Sequence, residues 1–272
     1  MAPQDLHSDD QPVGRVLNRR ELLTLFGSTG ALLLFSTTLP RIVAAQSTTT
    51  PTPAATGTAV PACVVRPELT EGPYFVDGPL NRSDIRIDPS DDSVTPGLPL
   101  RLIFRVSDVT GGVCAPLAGA QVDIWHCDAA GVYSGVDSEG TADEMWLRGY
   151  QVTDESGSAE FITIYPGWYR GRTVHIHFKV RTDAGDMAGY EFTSQLFFPE
   201  DLSDLVFEEA PYTGRGYRNT LNVDEGIFRE NGDVLTLDLV AFEDDTEAGY
   251  SATFDIGLDL SDANVGASDS AG

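Results

Sequence analysis

An all-β, antiparallel sandwich is the fold this sequence predicts, and three observations carry it. Short segments of strand-type alternation, rich in β-branched and aromatic residues, recur through the middle of the chain. The breaks between them hold turn formers: Gly111 and Gly112, residues 154–157 (DESG), and Pro166 with Gly167. Helical periodicity is nearly absent, and many short strands with frequent turns bury their apolar faces most readily by packing sheet on sheet.

The strands are expected at residues 100–106 (LRLIFRV), 120–125 (AQVDIW), 159–164 (AEFITI) and 173–180 (TVHIHFKV), with two more at 193–198 and 234–242. One short helix is expected at 202–209. These elements lie in a body running from residue 61 to 256. It is preceded by a Thr/Pro-rich, extended linker at 46–60 and followed by an acidic, small-residue tail at 257–272 that is expected to be disordered.

Residues 1–45 read as an export signal. Asn18-Arg19-Arg20-Glu21-Leu22-Leu23 is a twin-arginine pattern, an apolar run broken by Thr24, Gly27, Ser28 and Gly30 follows, and Val43-Ala44-Ala45 offers a cleavage site before Gln46. The expected location is therefore secreted or in the cell envelope, with no membrane association after cleavage. That route carries folded proteins, which suits a cofactor loaded before export.

Composition limits the partners. The 272 residues are enough for a substantial core. With 42 acidic against 17 basic residues the net charge is −25, and Lys179 is the only lysine. Such a surface repels nucleic-acid phosphates and anionic membranes. The three cysteines, Cys63, Cys114 and Cys127, lack the paired spacing of a zinc site, so one disulfide plus a buried free thiol is expected, with the pairing open.

His175 and His177 stand two apart on a strand, so both project from one face and can turn to one ion, while Val174, Ile176 and Phe178 point into the core. The chain has four histidines, His7 lies ahead of the twin-arginine pattern, and a third imidazole would have to be His126, so further ligands are expected to be oxygen or sulfur donors. Tyr133 follows the strand that ends at Trp125, and Tyr169 precedes the histidine pair. With a free pKa of about 10, tyrosine binds only an ion acidic enough to take its proton, and ferric iron is such an ion.

Three blocks carry a resemblance: residues 70–75 (TEGPYF), 116–134 (PLAGAQVDIWHCDAAGVYS) and 161–178 (FITIYPGWYRGRTVHIHF). In that order, over residues 63–198, they resemble the intradiol ring-cleavage dioxygenases, the family of protocatechuate 3,4-dioxygenase and catechol 1,2-dioxygenase, and within it the secreted single-domain subgroup. The resemblance implies one non-haem ferric ion per chain on Tyr133, Tyr169, His175 and His177. It implies a small aromatic diol and O2 as reactants. It also implies a charge-stabilising Arg172 with Gln195 nearby, catalytic involvement of Tyr169, and a substrate-lining segment at Gly72, Pro73 and Tyr74. Trp168 is a candidate pocket wall, with core packing equally open. The family's longer loop between the second tyrosine and the arginine is here only Arg170 and Gly171, so the particular catechol is left open.

Trp125 reads as core because it ends an alternating strand, and His126 reads as a hydrogen-bonded structural residue beside the site. No role is assigned to Trp146, Arg148 or Tyr150. The alternative function is a non-catalytic β-sandwich binding module, which has no need of a second tyrosine beside His-x-His. A zinc hydrolase would need a carboxylate near His175 and His177.

Overall fold

The computed structural model describes residues 63–182, 189–242 and 245–262. The expected export signal, the linker and the tail from residue 263 lie outside them.

Two sheets face each other. The first is built around β1 (Pro99–Asp108). Along one edge β1 pairs in parallel with β9 (Asp245–Leu258), which in turn carries β8 (Leu239–Phe242). Its other edge pairs antiparallel with β5 (Ser158–Ile164) and, at its end, with the two-residue β2 (Ala115–Pro116). The second sheet has the order β4-β3-β6-β7 and is antiparallel throughout. These strands are β3 (Gln121–Trp125), β4 (Arg148–Val152), β6 (His175–Arg181) and β7 (Glu191–Phe197).

Alternation decides which side chains meet between the sheets. Leu100, Leu102, Phe104 and Val106 of β1 are buried, as are Ile176, Phe178 and Val180 of β6. Phe104 lies at the centre, 5.3 Å from the Phe178 ring, 5.9 Å from Phe254 and 6.1 Å from Phe161. Tilted and edge-on pairs of this kind contribute about 0.5–1.5 kcal/mol each beyond the area they bury.

The structure is the expected all-β sandwich, with several differences of detail. The β1–β9 pairing is parallel, so the sheets are not uniformly antiparallel. Strands β2, β4 and β9 are additional to the expected ones. β4 opens on a buried arginine in place of an apolar residue. In β9 the alternating Tyr250, Ala252, Phe254, Ile256 and Leu258 are masked by glycine and acidic neighbours. Since Leu258 is buried and the Gly257 N–H donates to the Val64 carbonyl, the packed body extends past residue 256. Residues 232–235 form a 3-10 turn, which shortens the expected 234–242 strand to β8. The expected helix is α1 (Glu200–Val206), starting directly after Pro199, and a second short helix is α2 (Gly226–Asn231). Cys63 and Cys114 form the disulfide, with Cα atoms 5.9 Å apart, and Cys127 is the buried free thiol.

One feature of the second sheet positions the site. Strand β6 is buried on both faces from His175 through Val180. Its even-numbered residues enter the core, and its odd-numbered residues lie under the segment 70–78, which crosses the outer face of the sheet.

Candidate metal centre

His175 and His177 share that outer face, each 1% exposed. His177 is in register with Trp125 on one side and Gln195 on the other. The Trp125 ring stacks on the His177 imidazole at 5.1 Å with planes 7° apart. Trp125 is therefore buried as expected, yet it belongs to a small cluster with Cys127 and Tyr133 on the site face and not to the inter-sheet core. The odd positions of β3 and β6 face the same way, which places it there.

Tyr133 arrives from the turn after β3, where Glu139 accepts a 2.6 Å hydrogen bond from its backbone N–H. Tyr169 arrives from the loop between β5 and β6. Four donor atoms then converge. The Tyr133 hydroxyl is 3.3 Å from His175 Nε2, the Tyr169 hydroxyl is 3.1 Å from it, and His177 Nε2 is 3.0 Å from it. Nitrogen and oxygen ligands bind first-row ions at about 2.0–2.1 Å, so two ligands of one ion stand about 2.9–3.4 Å apart.

The tautomer agrees. His175 Nδ1–H donates to the Thr173 carbonyl at 2.7 Å, leaving the lone pair on Nε2, aimed at the meeting point. Burial first, then the nearby Arg172 charge, depresses both imidazoles well below their ordinary range, so both are neutral at pH 7. Burial likewise raises Tyr133 well above 10 and pushes Tyr169 up to about 12, against the opposing pull of Arg172. A proton shared between the rings satisfies one of these contacts, whereas a cation satisfies all four donor atoms and takes the place of the phenolic protons. Among the described residues no group of three or more His, Cys, Asp or Glu could hold a metal, so the phenols are what complete this donor set. It suits a hard trivalent ion.

Arg172 borders the donors. Its Nε–H donates to Glu225 and one terminal N–H to Gln195 Oε1, while Gln195 Nε2 donates to the Thr70 carbonyl at 2.8 Å. The 70–78 segment lies above. Gly72, at φ +73°, is so close that a Cβ there would stand 3.3 Å from His177 Cε1. Tyr74 stacks on Tyr133 at 4.5 Å, and Phe75 packs 4.9 Å from Trp125. Pro73 occupies the exposed turn between them. Trp168 is half-buried against the main core, with the Arg215 guanidinium 5.2 Å over its ring. Gly131 (φ +75°) is required opposite it, because a Cβ would come within 2.2 Å of the Trp168 carbonyl oxygen.

The Dioxygenase family profile matches residues 70–259. Chlorocatechol 1,2-dioxygenase of Pseudomonas putida is 31% identical over 67% of this chain and 70% of its own length. The chain belongs to the intradiol ring-cleavage dioxygenase family. Catechol 1,2-dioxygenase 1 of Acinetobacter lwoffii is 32% identical over 55% of this chain, which spans half the length of that relative. The intradiol ring-cleavage dioxygenase of Tetranychus urticae, a solved structure, superimposes with a TM-score of 0.60 at 30% identity, covering 73% of this chain and 95% of that one. Membership in an oxidoreductase family leaves no ground for the binding-module alternative.

Among the expected family residues, the structure brings Tyr133, Tyr169, His175, His177, Arg172, Gln195, Gly72 and Tyr74 together. His126 is the expected structural neighbour, donating from Nδ1 to the Cys127 carbonyl at 2.8 Å and accepting from Thr163 Oγ1 at 2.7 Å. Two residues of this intradiol-type site went unassigned in the sequence. Arg148 is 3% exposed and donates to Ser134 Oγ at 2.9 Å, to the Ser134 carbonyl, and to the Tyr74 carbonyl at 2.9 Å. It thereby ties the residue next to Tyr133 to the covering segment. Its signal was a place in register with Trp125, visible only once β4 is known to be a strand. The other is Glu225, far along the chain and without any motif.

Proposed function

We propose that this chain is an exported, non-haem ferric dioxygenase that opens a catechol-type ring between its two hydroxyl-bearing carbons, incorporating both atoms of O2 to give a muconate-type diacid. The observation that carries the reading is the convergence of Tyr133, Tyr169 and His177 within 3.3 Å of His175 Nε2. When bound by these four residues, one ferric ion supplies Lewis acidity and a template for the diol.

The protein's own groups divide the remaining work. Tyr133 is 1% exposed and packed under Tyr74, whereas Tyr169 is half-buried at the loop edge, so Tyr169 Oη is the phenolic oxygen free to accept a substrate proton. Arg172 supplies positive charge beside the ring where anionic character builds, and Gln195 orients it while binding the Thr70 carbonyl. Gly72 and Tyr74 form the cover that keeps water from the site, and Trp168 stands next to Tyr169 as a candidate wall. The absence of a side chain at Gly72 leaves space above His177.

Export through residues 1–45 is supported by the twin-arginine pattern and by the Cys63–Cys114 disulfide, since such bonds persist in oxidising compartments. Among the described residues no helix is long and apolar enough to cross a membrane.

The test is direct. The purified chain should contain one iron and absorb visible light through its tyrosinate ligands, and Tyr133→Phe should shift or abolish that band. Oxygen uptake with catechol should yield an ultraviolet-absorbing muconate. A folded, iron-free, colourless protein refutes the reading, and a yellow semialdehyde product refutes the intradiol position of cleavage.

A further inference from the structure

We propose that Glu225 is a positioning residue for ring opening, holding the Arg172 guanidinium in the orientation that faces the substrate ring. The inference rests on the charge-stabilising role assigned to Arg172 above.

Glu225 is 5% exposed, and its Oε1 accepts hydrogen bonds from Arg172 Nε and from the Thr173 backbone N–H, the latter at 3.2 Å. It stands at the N-cap of α2, and its side chain makes no capping bond to that helix. The carboxylate is directed instead at a residue 53 positions earlier in the chain. Its segment is fastened for that purpose. Thr173 Oγ1 donates to the Asn222 side chain, and Asn222 Nδ2 donates to the Phe198 carbonyl at 3.0 Å. Residues 222–225 therefore grip residues 172–173, immediately before the histidine pair.

Arg172 is thus held from two sides, by Glu225 at Nε and by Gln195 at a terminal nitrogen. A planar guanidinium fixed through two of its nitrogens has no rotational freedom left, and its remaining N–H groups keep one direction. Both bonds have a cationic donor, and the one to Glu225 is also an ion pair, the stronger of the two contacts. Replacing the carboxylate by an amide keeps the shape and one acceptor oxygen but removes the counter-charge of a half-buried cation. The arginine is then free to swing, and misplacement on the scale of 1 Å costs a positioned group about 100-fold in rate.

The experiment uses the full-length, iron-loaded protein. Glu225→Gln should lower kcat with catechol about 10- to 100-fold while KM, iron content and the visible band change little. Glu225→Asp, which retains the charge with a shorter reach, should lie between wild type and Glu225→Gln and serves if the amide variant does not fold. In an Arg172→Ala background, Glu225→Gln should cost less than twofold further, because its effect passes through the arginine. Equal fractional losses in the two backgrounds, or loss of iron and thermal stability with kcat per iron unchanged, overturn the proposal. If Arg172→Ala retains wild-type kcat, the role assigned to the arginine fails and the inference falls with it. If that variant is impaired but Glu225→Gln is not, the inference alone fails.

Discussion

Lys179 extends the His175–His177 file along the outer face of β6, and replacing it tests what holds the 70–78 segment over the site. The residue is 4% exposed, and its ammonium pairs with Glu71 and Glu191 and stands 4.3 Å over the Phe75 ring. Lys179→Met keeps the aliphatic stem, removes the charge, and leaves two carboxylates facing each other. Breaking a buried ion pair from one side costs about 3–5 kcal/mol. Here the acids are about one-third exposed, 30% and 34%, so solvent recovers part of that loss. The expected cost is about 2–3 kcal/mol after this discount, roughly 5–10 °C in Tm for a domain of this size. Because Glu71 adjoins Gly72, the covering segment should loosen and KM for catechol should rise. The pH dependence has a definite sign. Burial lowers the lysine pKa, but Glu191 and Glu71 more than compensate, so the folded value is raised. The stabilisation is therefore complete below the unfolded pKa near 10.4 and is lost as pH rises through the higher folded value. Chemical denaturation of wild type and variant between pH 7 and 11 reads both effects. A cost below 1 kcal/mol at pH 7 together with an unchanged KM would refute the clamp.

Two further outcomes follow from single contacts. Gly72→Ala places a Cβ at φ +73° and 3.3 Å from His177 Cε1, so a loss of about 1–2 kcal/mol and a displaced visible band are expected; an unaltered spectrum and midpoint would mean the segment does not press on the imidazole. Removing the Cys63–Cys114 disulfide, which spans 51 positions, should lower unfolding free energy by about 4 kcal/mol in the chain-entropy account, measured by denaturant titration with and without reductant.

Local patterns made much of the fold legible. Alternation at 100–106 and 159–164 marked β1 and β5 because a half-buried strand cannot hide its period, and at 173–180 the alternation of polar and apolar residues marked β6 although both its faces are buried. Apart from the two-residue β2, the strands that were missed broke this rule for identifiable reasons. β4 puts Arg148 where an apolar residue is expected, and β9 carries its buried series through glycine-containing, acidic sequence. Two imidazoles on one strand face and two nearby phenols pointed towards a donor set, but the four residues were named together only through the family resemblance. Arg148 and Glu225 were not readable. Their partners, Ser134, Tyr74 and Arg172, are reached only through the tertiary fold.

The same distinction explains how a chain of net charge −25 builds a site around cationic groups. Each buried cation there has an assigned acceptor: Lys179 has Glu71 and Glu191, Arg172 has Glu225 and Gln195, and Arg148 has the carbonyls of Ser134 and Tyr74. An unpaired charge at such depth would disfavour folding. These pairings also link segments that carry site residues, since Glu71 precedes Gly72, Ser134 follows Tyr133, and Thr173 precedes His175. Neutralising the buried charges and aligning the donors are therefore achieved by the same contacts. Substitutions at Arg148 or Lys179 should accordingly alter the donor geometry and the stability together, whereas substitution of Glu225, which acts on an arginine beside the donors, should lower the rate without displacing the donors themselves.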